Sequence, residues 1–115
     1  MDALDGVGSR LVLQQACEDM EIPMVHGAIS GWYGQVSTIF PGERTLSIIY
    51  SGFENRNTDN RLGNPSFTPA LTASLQVSES LKIMISRGSL LRGRIMFINT
   101  YDNSVDIAEL SKRQI

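Results

Sequence analysis

Apolar positions along the chain fall into short runs whose period changes from element to element. Leu11, Leu13, Ala16, Cys17 and Met20 contain the 13, 16, 17, 20 spacing of one helical face. Gly6, Gly8 and Ser9 precede them as a turn, with Ser9 a candidate N-cap. Pro23 closes this helix, because proline cannot continue a helix and disfavours helical geometry in the residue before it. Met24 to Ile29 is a short apolar run that predicts a strand. Ser30-Gly31-Trp32-Tyr33-Gly34 is a glycine-bracketed turn. Gln35 to Phe40 alternates around Val36, Thr38 and Ile39 and predicts a second strand, stopped by Pro41-Gly42. Thr45 to Tyr50 is apolar and fits either a helical turn or a strand.

Polar residues then dominate from Ser51 to Pro65, where Phe53 and Leu62 are the only large apolar side chains. The stretch reads as a long flexible loop that buries too little apolar surface to offset the entropy of ordering it. Thr68-Pro69 then reads as an N-cap followed by proline at the first helical position. The helix runs to Arg87, with Gly88 as its C′ residue. Ala70, Ala73, Val77, Leu81 and Met84 form one stripe on it, widened by Leu71, Leu75 and Ile85. Arg94 to Thr100 and Ser104 to Leu110 predict a hairpin turning at Tyr101-Asp102-Asn103, with Val105 and Ile107 on one face. The order is a strand end, then α-β-β-loop-α-β-β. It predicts one α/β domain over residues 1–115, with two main helices on a mixed, largely antiparallel sheet and a flexible crossover loop at residues 51–65.

Composition narrows the function classes. Hydrophobic residues make up 42% of the 115, enough for a core. Charged residues are 19%, below the roughly 25% of an average soluble domain, which points to surface covered by other protein. A net charge of −2 with no block of like charge leaves no footprint for nucleic acid. No apolar run approaches the ~18 residues of a membrane span. Met1-Asp2 does not open a signal peptide, and the lone Cys17 cannot form an internal disulfide, so a reducing cytoplasm is the expected compartment.

Five stretches in order carry a family resemblance. Asp2-Ala3-Leu4-Asp5 followed by Arg10 resembles a D-x-x-D-N-x-x-x-R segment. Ile22-Pro23-Met24-Val25-His26-Gly27-Ala28 resembles an IPLVHGA strand, and Gly34-Gln35-Val36 through Pro41-Gly42 a GQVTTIFPG strand. Thr68-Pro69-Ala70 through Leu75-Gln76 to Glu79-Ser80-Leu81-Lys82 resembles a TPAVGSLQAxEALK helix, and Leu91-Arg92-Gly93-Arg94 the start of an LxGRLLxYD strand. Together they resemble the C-terminal half of the ThiF/MoeB/HesA adenylyltransferases, relatives of the ubiquitin-activating enzymes. The resemblance implies the C-terminal half of a Rossmann-like activating-enzyme fold. It also implies a parent enzyme that binds ATP and magnesium and adenylates the C-terminal glycine of a ubiquitin-like sulfur-carrier protein of the thiamine or molybdopterin type. A homodimer is implied as well, through the helix Thr68 to Arg87 or the strands Met24 to Phe40. The glycine-rich ATP loop of the family does not occur in this sequence, so the chain alone is expected to be inactive and to hold no nucleotide. The cysteines that bind zinc or form a thioester in many relatives do not occur between Ser51 and Pro65 either. With Cys17 and His26 as the only thiol and imidazole, no zinc site is expected. A non-catalytic dimerisation or partner-binding module of the same fold is the alternative.

The resemblance places Asp5 at the end of a sheet strand as the catalytic residue and magnesium ligand, where hard carboxylate oxygen suits the ion. The competing reading of Asp5 is a cap on the first helix, and Gly6 stands where the family usually has asparagine. Arg10 is a candidate phosphate contact or, alternatively, the ion-pair partner of Asp2 or Asp5. Gly6-Val7-Gly8 reads as a turn, not a phosphate loop, because the third glycine is missing. Cys17 reads as a buried inert thiol, and His26 as a hydrogen-bonded core histidine with no acid or serine partner implied. Trp32 and Tyr33 fit local packing, an interface or the lining of a carrier-tail channel.

Overall fold

The computed structural model describes residues 1–4, 6–50 and 65–110. Its elements are α1 (Val7–Asp19), β1 (Met24–Ser30), β2 (Tyr33–Ile39), α2 (Thr45–Tyr50), α3 (Phe67–Ile85), β3 (Arg94–Asn99) and β4 (Ser104–Glu109). The four strands form one sheet in the order β1-β2-β3-β4, with every neighbouring pair antiparallel. The parallel element is an isolated bridge between Thr38 and Arg92. Alternation sets the two faces, because opposed residues of an antiparallel pair point the same way. Met24, His26, Ser37 and Ile39 share one face, and Gly27, Val36, Thr38, Met96 and Ile98 the other.

Helices cover both faces. On the first, Met24, Ile39 and Leu46 form a buried cluster against Leu11, Leu13 and Cys17 of α1 and Ile49 and Tyr50 of α2. On the second, Val36, Leu91 and Ile98 are buried with Leu75 of α3 and Met96 packed against them. The ambiguous run Thr45–Tyr50 is helical, which lets Leu46 reach full burial beneath α1.

Several boundaries differ from the sequence reading. The first helix starts at Val7 behind Gly6, which takes φ 83, so Ser9 lies inside the helix and does not cap it. That helix ends before Pro23, at Asp19, with Glu21 in the left-handed region at φ 57. Thr68 does not cap α3 either. The N-cap is Ser66, and Thr68 is the second helical residue, buried with its hydroxyl unpaired. At the far end the helix stops at Ile85 and its C-cap is Ser86, at φ 56, while Gly88 takes a positive φ of 84 two residues beyond. The predicted loop Ser51 to Pro65 lies outside the described residues apart from Pro65.

The sequence leaves open which side of α3 meets the sheet, and the structure decides it. The buried residues of α3 are Thr68, Thr72, Gln76 and Glu79, a polar stripe. Leu71, Val77, Leu81, Met84 and Ile85 face outward, with Met84 73% exposed. Close approach makes this seam workable. A Cβ at Gly27 would collide with the Gln76 amide, and one at Gly34 with the Thr72 hydroxyl, so these two glycines let α3 lie directly on β1 and β2. Glu79 Oε1 accepts from the Thr38 hydroxyl at 2.7 Å and from the Leu91 N–H at 2.7 Å, and its other oxygen pairs with Lys82. A buried carboxylate with that many donors keeps its charge. Burial works to raise its pKa, but the Leu91, Lys82 and Thr38 contacts outweigh burial and hold it below the usual range.

Candidate functional site

Beside the edge strand β1, the segment Met1 to Leu4 docks through Asp2, whose N–H donates to Val25 O at 2.8 Å. From α3, the Gln76 side-chain amide donates to Asp2 O at 2.9 Å and Val25 O at 3.1 Å. The backbone at Asp2 is therefore held from both the strand and the helix.

The Asp2 carboxylate is the centre of a buried polar network. Oδ1 accepts from Leu4 N–H at 3.0 Å, and Oδ2 from Arg10 Nε at 3.0 Å and His26 Nδ1 at 2.7 Å. Arg10 Nη2 also donates to Leu4 O. Side chains of Asp2 and His26 have no solvent exposure at all. On the other side of the ring, His26 Nε2 faces Gln35 Nε2 at 2.9 Å and the Tyr50 hydroxyl at 3.4 Å, while Gln35 Nε2 also donates to Tyr50 at 3.1 Å. Gln35 reaches His26 because both lie on one face of the β1–β2 ladder, two register pairs apart.

The charges follow from these contacts. Burial alone would raise the Asp2 pKa, but the His26 and Leu4 donors and the Arg10 charge reverse that and hold it below its ordinary value of 3.8. Burial dominates at His26 and lowers its pKa below 6.5 despite Asp2. His26 is thus neutral near pH 7, with its proton on Nδ1 toward Asp2 and Nε2 left as an acceptor. Burial raises the Tyr50 phenol above 10.0.

Placement of the sequence candidates is uneven. Arg10 pairs with Asp2, the ion-pair reading of that residue. Asp5 lies outside the described residues. His26 is a core histidine, but it does have an acid partner, 24 positions away at Asp2. That separation is invisible to any local pattern. Cys17 is free and half-buried against the Met24 cluster. Trp32 packs edge to face with Phe67 and Tyr101, at 4.9 and 5.3 Å between centroids, whereas Tyr33 is exposed. Among the described residues no three His, Cys, Asp or Glu side chains gather as a metal site. No helix among them is long and apolar enough to cross a membrane. Gln76 and Glu79 were missed as structural residues. The signal for them was a polar series, Thr68, Thr72, Gln76 and Glu79, at the four- and three-residue spacing of one helical face.

The chain is similar to several known proteins. The chain is 28% identical over 105 residues to the SAMP-activating enzyme E1 of Haloferax volcanii, covering 89% of this chain and 39% of that protein. It is 29% identical over 109 residues to a probable molybdopterin-synthase adenylyltransferase of Pyropia yezoensis, covering 90% of this chain and 29% of that protein. The chain thus spans well under half the length of either relative. Among solved structures it superposes on PaaA with a TM-score of 0.64 at 12% identity, over 90% of this chain and 33% of PaaA. The heterocyclase TruD superposes at 0.63 with 15% identity, over 87% of this chain and 18% of TruD. These two establish a shared fold. The α/β sheet with helices on both faces is that of a chain that matches the ThiF family over residues 1–114 and belongs to it.

Proposed function

We propose that this chain is the C-terminal part of an ATP-dependent adenylyltransferase that activates the C-terminal glycine of a ubiquitin-like sulfur-carrier protein. The observation that carries the reading is the family match over residues 1–114, joined to relatives named as an activating enzyme and an adenylyltransferase. A carrier of the thiamine or molybdopterin type, a cytoplasmic setting and a homodimer belong to the same reading. The exposed apolar stripe of α3 supports the dimer.

The donor chemistry fits magnesium. Asp2 is committed to three N–H donors, so this reading assigns the hard cation to Asp5 and not to Asp2. Magnesium bound with ATP would neutralise phosphate charge as the carrier carboxylate attacks the α-phosphate and pyrophosphate leaves. What this chain contributes is a fixed backbone at Asp2 and Leu4, a rigid sheet behind it, and the Asp5 carboxylate. The triphosphate needs donors that these residues do not provide, so the 115-residue chain by itself is inactive.

A non-catalytic dimerisation or partner-binding module is the second reading, favoured by the outward apolar face of α3 and by Gly6 in place of the family's asparagine. ATP–pyrophosphate exchange separates the two. The full-length protein carrying this chain should exchange label when given a carrier with a C-terminal glycine, and Asp5→Ala should lower the rate at least about 100-fold. A full-length protein with no exchange over a panel of carriers supports the module instead.

A further inference from the structure

The His26 network contains a role that the adenylyltransferase reading does not require. Leu4 is gripped at both ends of its peptide environment, its N–H by Asp2 Oδ1 and its C=O by Arg10 Nη2. Asp2 and Arg10 are joined to each other through Oδ2, and the remaining donor on that oxygen is His26. His26 projects from the edge strand of a rigid sheet, and Gln35 and Tyr50 fix its ring from behind. The imidazole therefore transmits the position of β1 and β2 to the backbone that immediately precedes Asp5 in the sequence.

We propose that His26 is a positioning residue which, through Asp2, sets the Leu4 backbone and so governs how the protein takes up Mg-ATP. The inference rests on the adenylyltransferase reading for its effect on ATP, but its structural half stands apart from it. The fixed tautomer gives it direction. Nδ1–H must donate to Asp2, while Nε2 only accepts from the Gln35 and Tyr50 side. A residue with a donor at the Nδ1 position keeps the link to Leu4, and a residue with polar atoms only at the Nε2 position loses it.

Two isosteres test this in the full-length protein. The Asn side-chain amide falls near imidazole Nδ1, so His26→Asn keeps a donor for Asp2. The Gln amide falls near Nε2, so His26→Gln keeps the Gln35 and Tyr50 side and loses Asp2. His26→Gln should raise the KM for Mg-ATP about tenfold, the scale of one lost buried hydrogen bond to a charged group, with kcat within about threefold. His26→Asn should stay within about threefold of the wild type in both. Amide hydrogen exchange at Leu4 should quicken about tenfold in His26→Gln and stay near wild type in His26→Asn. A role in packing alone gives the reverse order, because Gln fills the ring's space better than Asn. Asn behaving as badly as Gln, or Leu4 exchanging alike in all three proteins, overturns the inference. Wild-type protein without ATP–pyrophosphate exchange overturns the adenylyltransferase reading, and the Leu4 amide still decides the positioning role.

Discussion

Helices α1 and α3 lie on opposite faces of one sheet and bury different mixtures of side chains against it. From α1, Leu11, Leu13 and Cys17 turn toward the Met24–Ile39–Leu46 cluster, around one buried polar residue, Gln14, whose Oε1 accepts from the Leu46 N–H. From α3, Thr68, Thr72, Gln76 and Glu79 face in while Val77, Leu81, Met84 and Ile85 face out. The difference teaches that period locates a helix, whereas partners decide its orientation. A polar stripe can face a sheet when its groups find backbone donors and acceptors there, as Gln76 and Glu79 do. A contiguous apolar face left outside then needs protein to cover it.

Glu79→Ala offers the hardest test of that contrast. It strips the Leu91 N–H and the Thr38 hydroxyl of their acceptor and leaves Lys82 without its carboxylate. Unfolding free energy should fall by about 3 kcal/mol in a denaturant titration. A loss below about 1 kcal/mol would mean that the polar seam is incidental and that Leu75 and its apolar neighbours hold α3 in place.

Acid should separate the two faces next. His26 has a folded pKa below its unfolded 6.5, so between those values the unfolded chain binds more protons and stability falls as pH falls. Asp2 and Glu79 have folded values below 3.8 and 4.5, so their contribution is present above those values and is lost as pH falls through the folded ones. Stability measured from pH 8 to pH 2 should therefore decline in two stages. His26→Asn should remove the upper stage, which belongs to the α1 face. Glu79→Ala should leave it intact. An upper stage that survives in His26→Asn would place its origin elsewhere.

The smallest effect on the monomer should come from the outer face of α3. Met84→Ser, at a position 73% exposed, should change unfolding free energy by no more than about 0.5 kcal/mol. The same substitution should weaken self-association seen by sedimentation equilibrium, which distinguishes a dimer face from a bare one. Unchanged association would move the dimer to another surface.

Much of the fold was legible because alternation and turn chemistry are local. The strands β1 and β2 and the Tyr101-Asp102-Asn103 hairpin fall close to where Val36, Thr38 and Ile39 and the pair Val105 and Ile107 place them, but the turn read as Ser30 to Gly34 shrinks to Gly31 and Trp32, with Ser30 in β1 and Tyr33 and Gly34 in β2. Six residues from Thr45 to Tyr50 are too few to display a period, so α2 was ambiguous. The stripe on α3 was found but the face that meets the sheet was not, because the Gly27 and Gly34 approaches that admit Thr72 and Gln76 are properties of another element. At the site, the Arg10–Asp2 pair could be anticipated from eight residues' separation on one turn. Its junction with His26 could not, since hydrogen bonding across a strand edge leaves no mark on the residues between.

The Gln76 amide also carries a kinetic consequence. Its bond to Asp2 O spans 74 residues of chain, among the longest separations the fold contains. Contacts of such range close late, because the intervening loop entropy must be lost before they form. During synthesis Asp2 leaves the ribosome long before Gln76, so the β1–β2 hairpin and α1 can assemble while the edge at Val25 still lacks the amide that locks Asp2 to it. Docking of the first residues should then be completed with the arrival of α3, and Gln76→Ala should speed unfolding of that edge while leaving the hairpin's own closure rate unchanged.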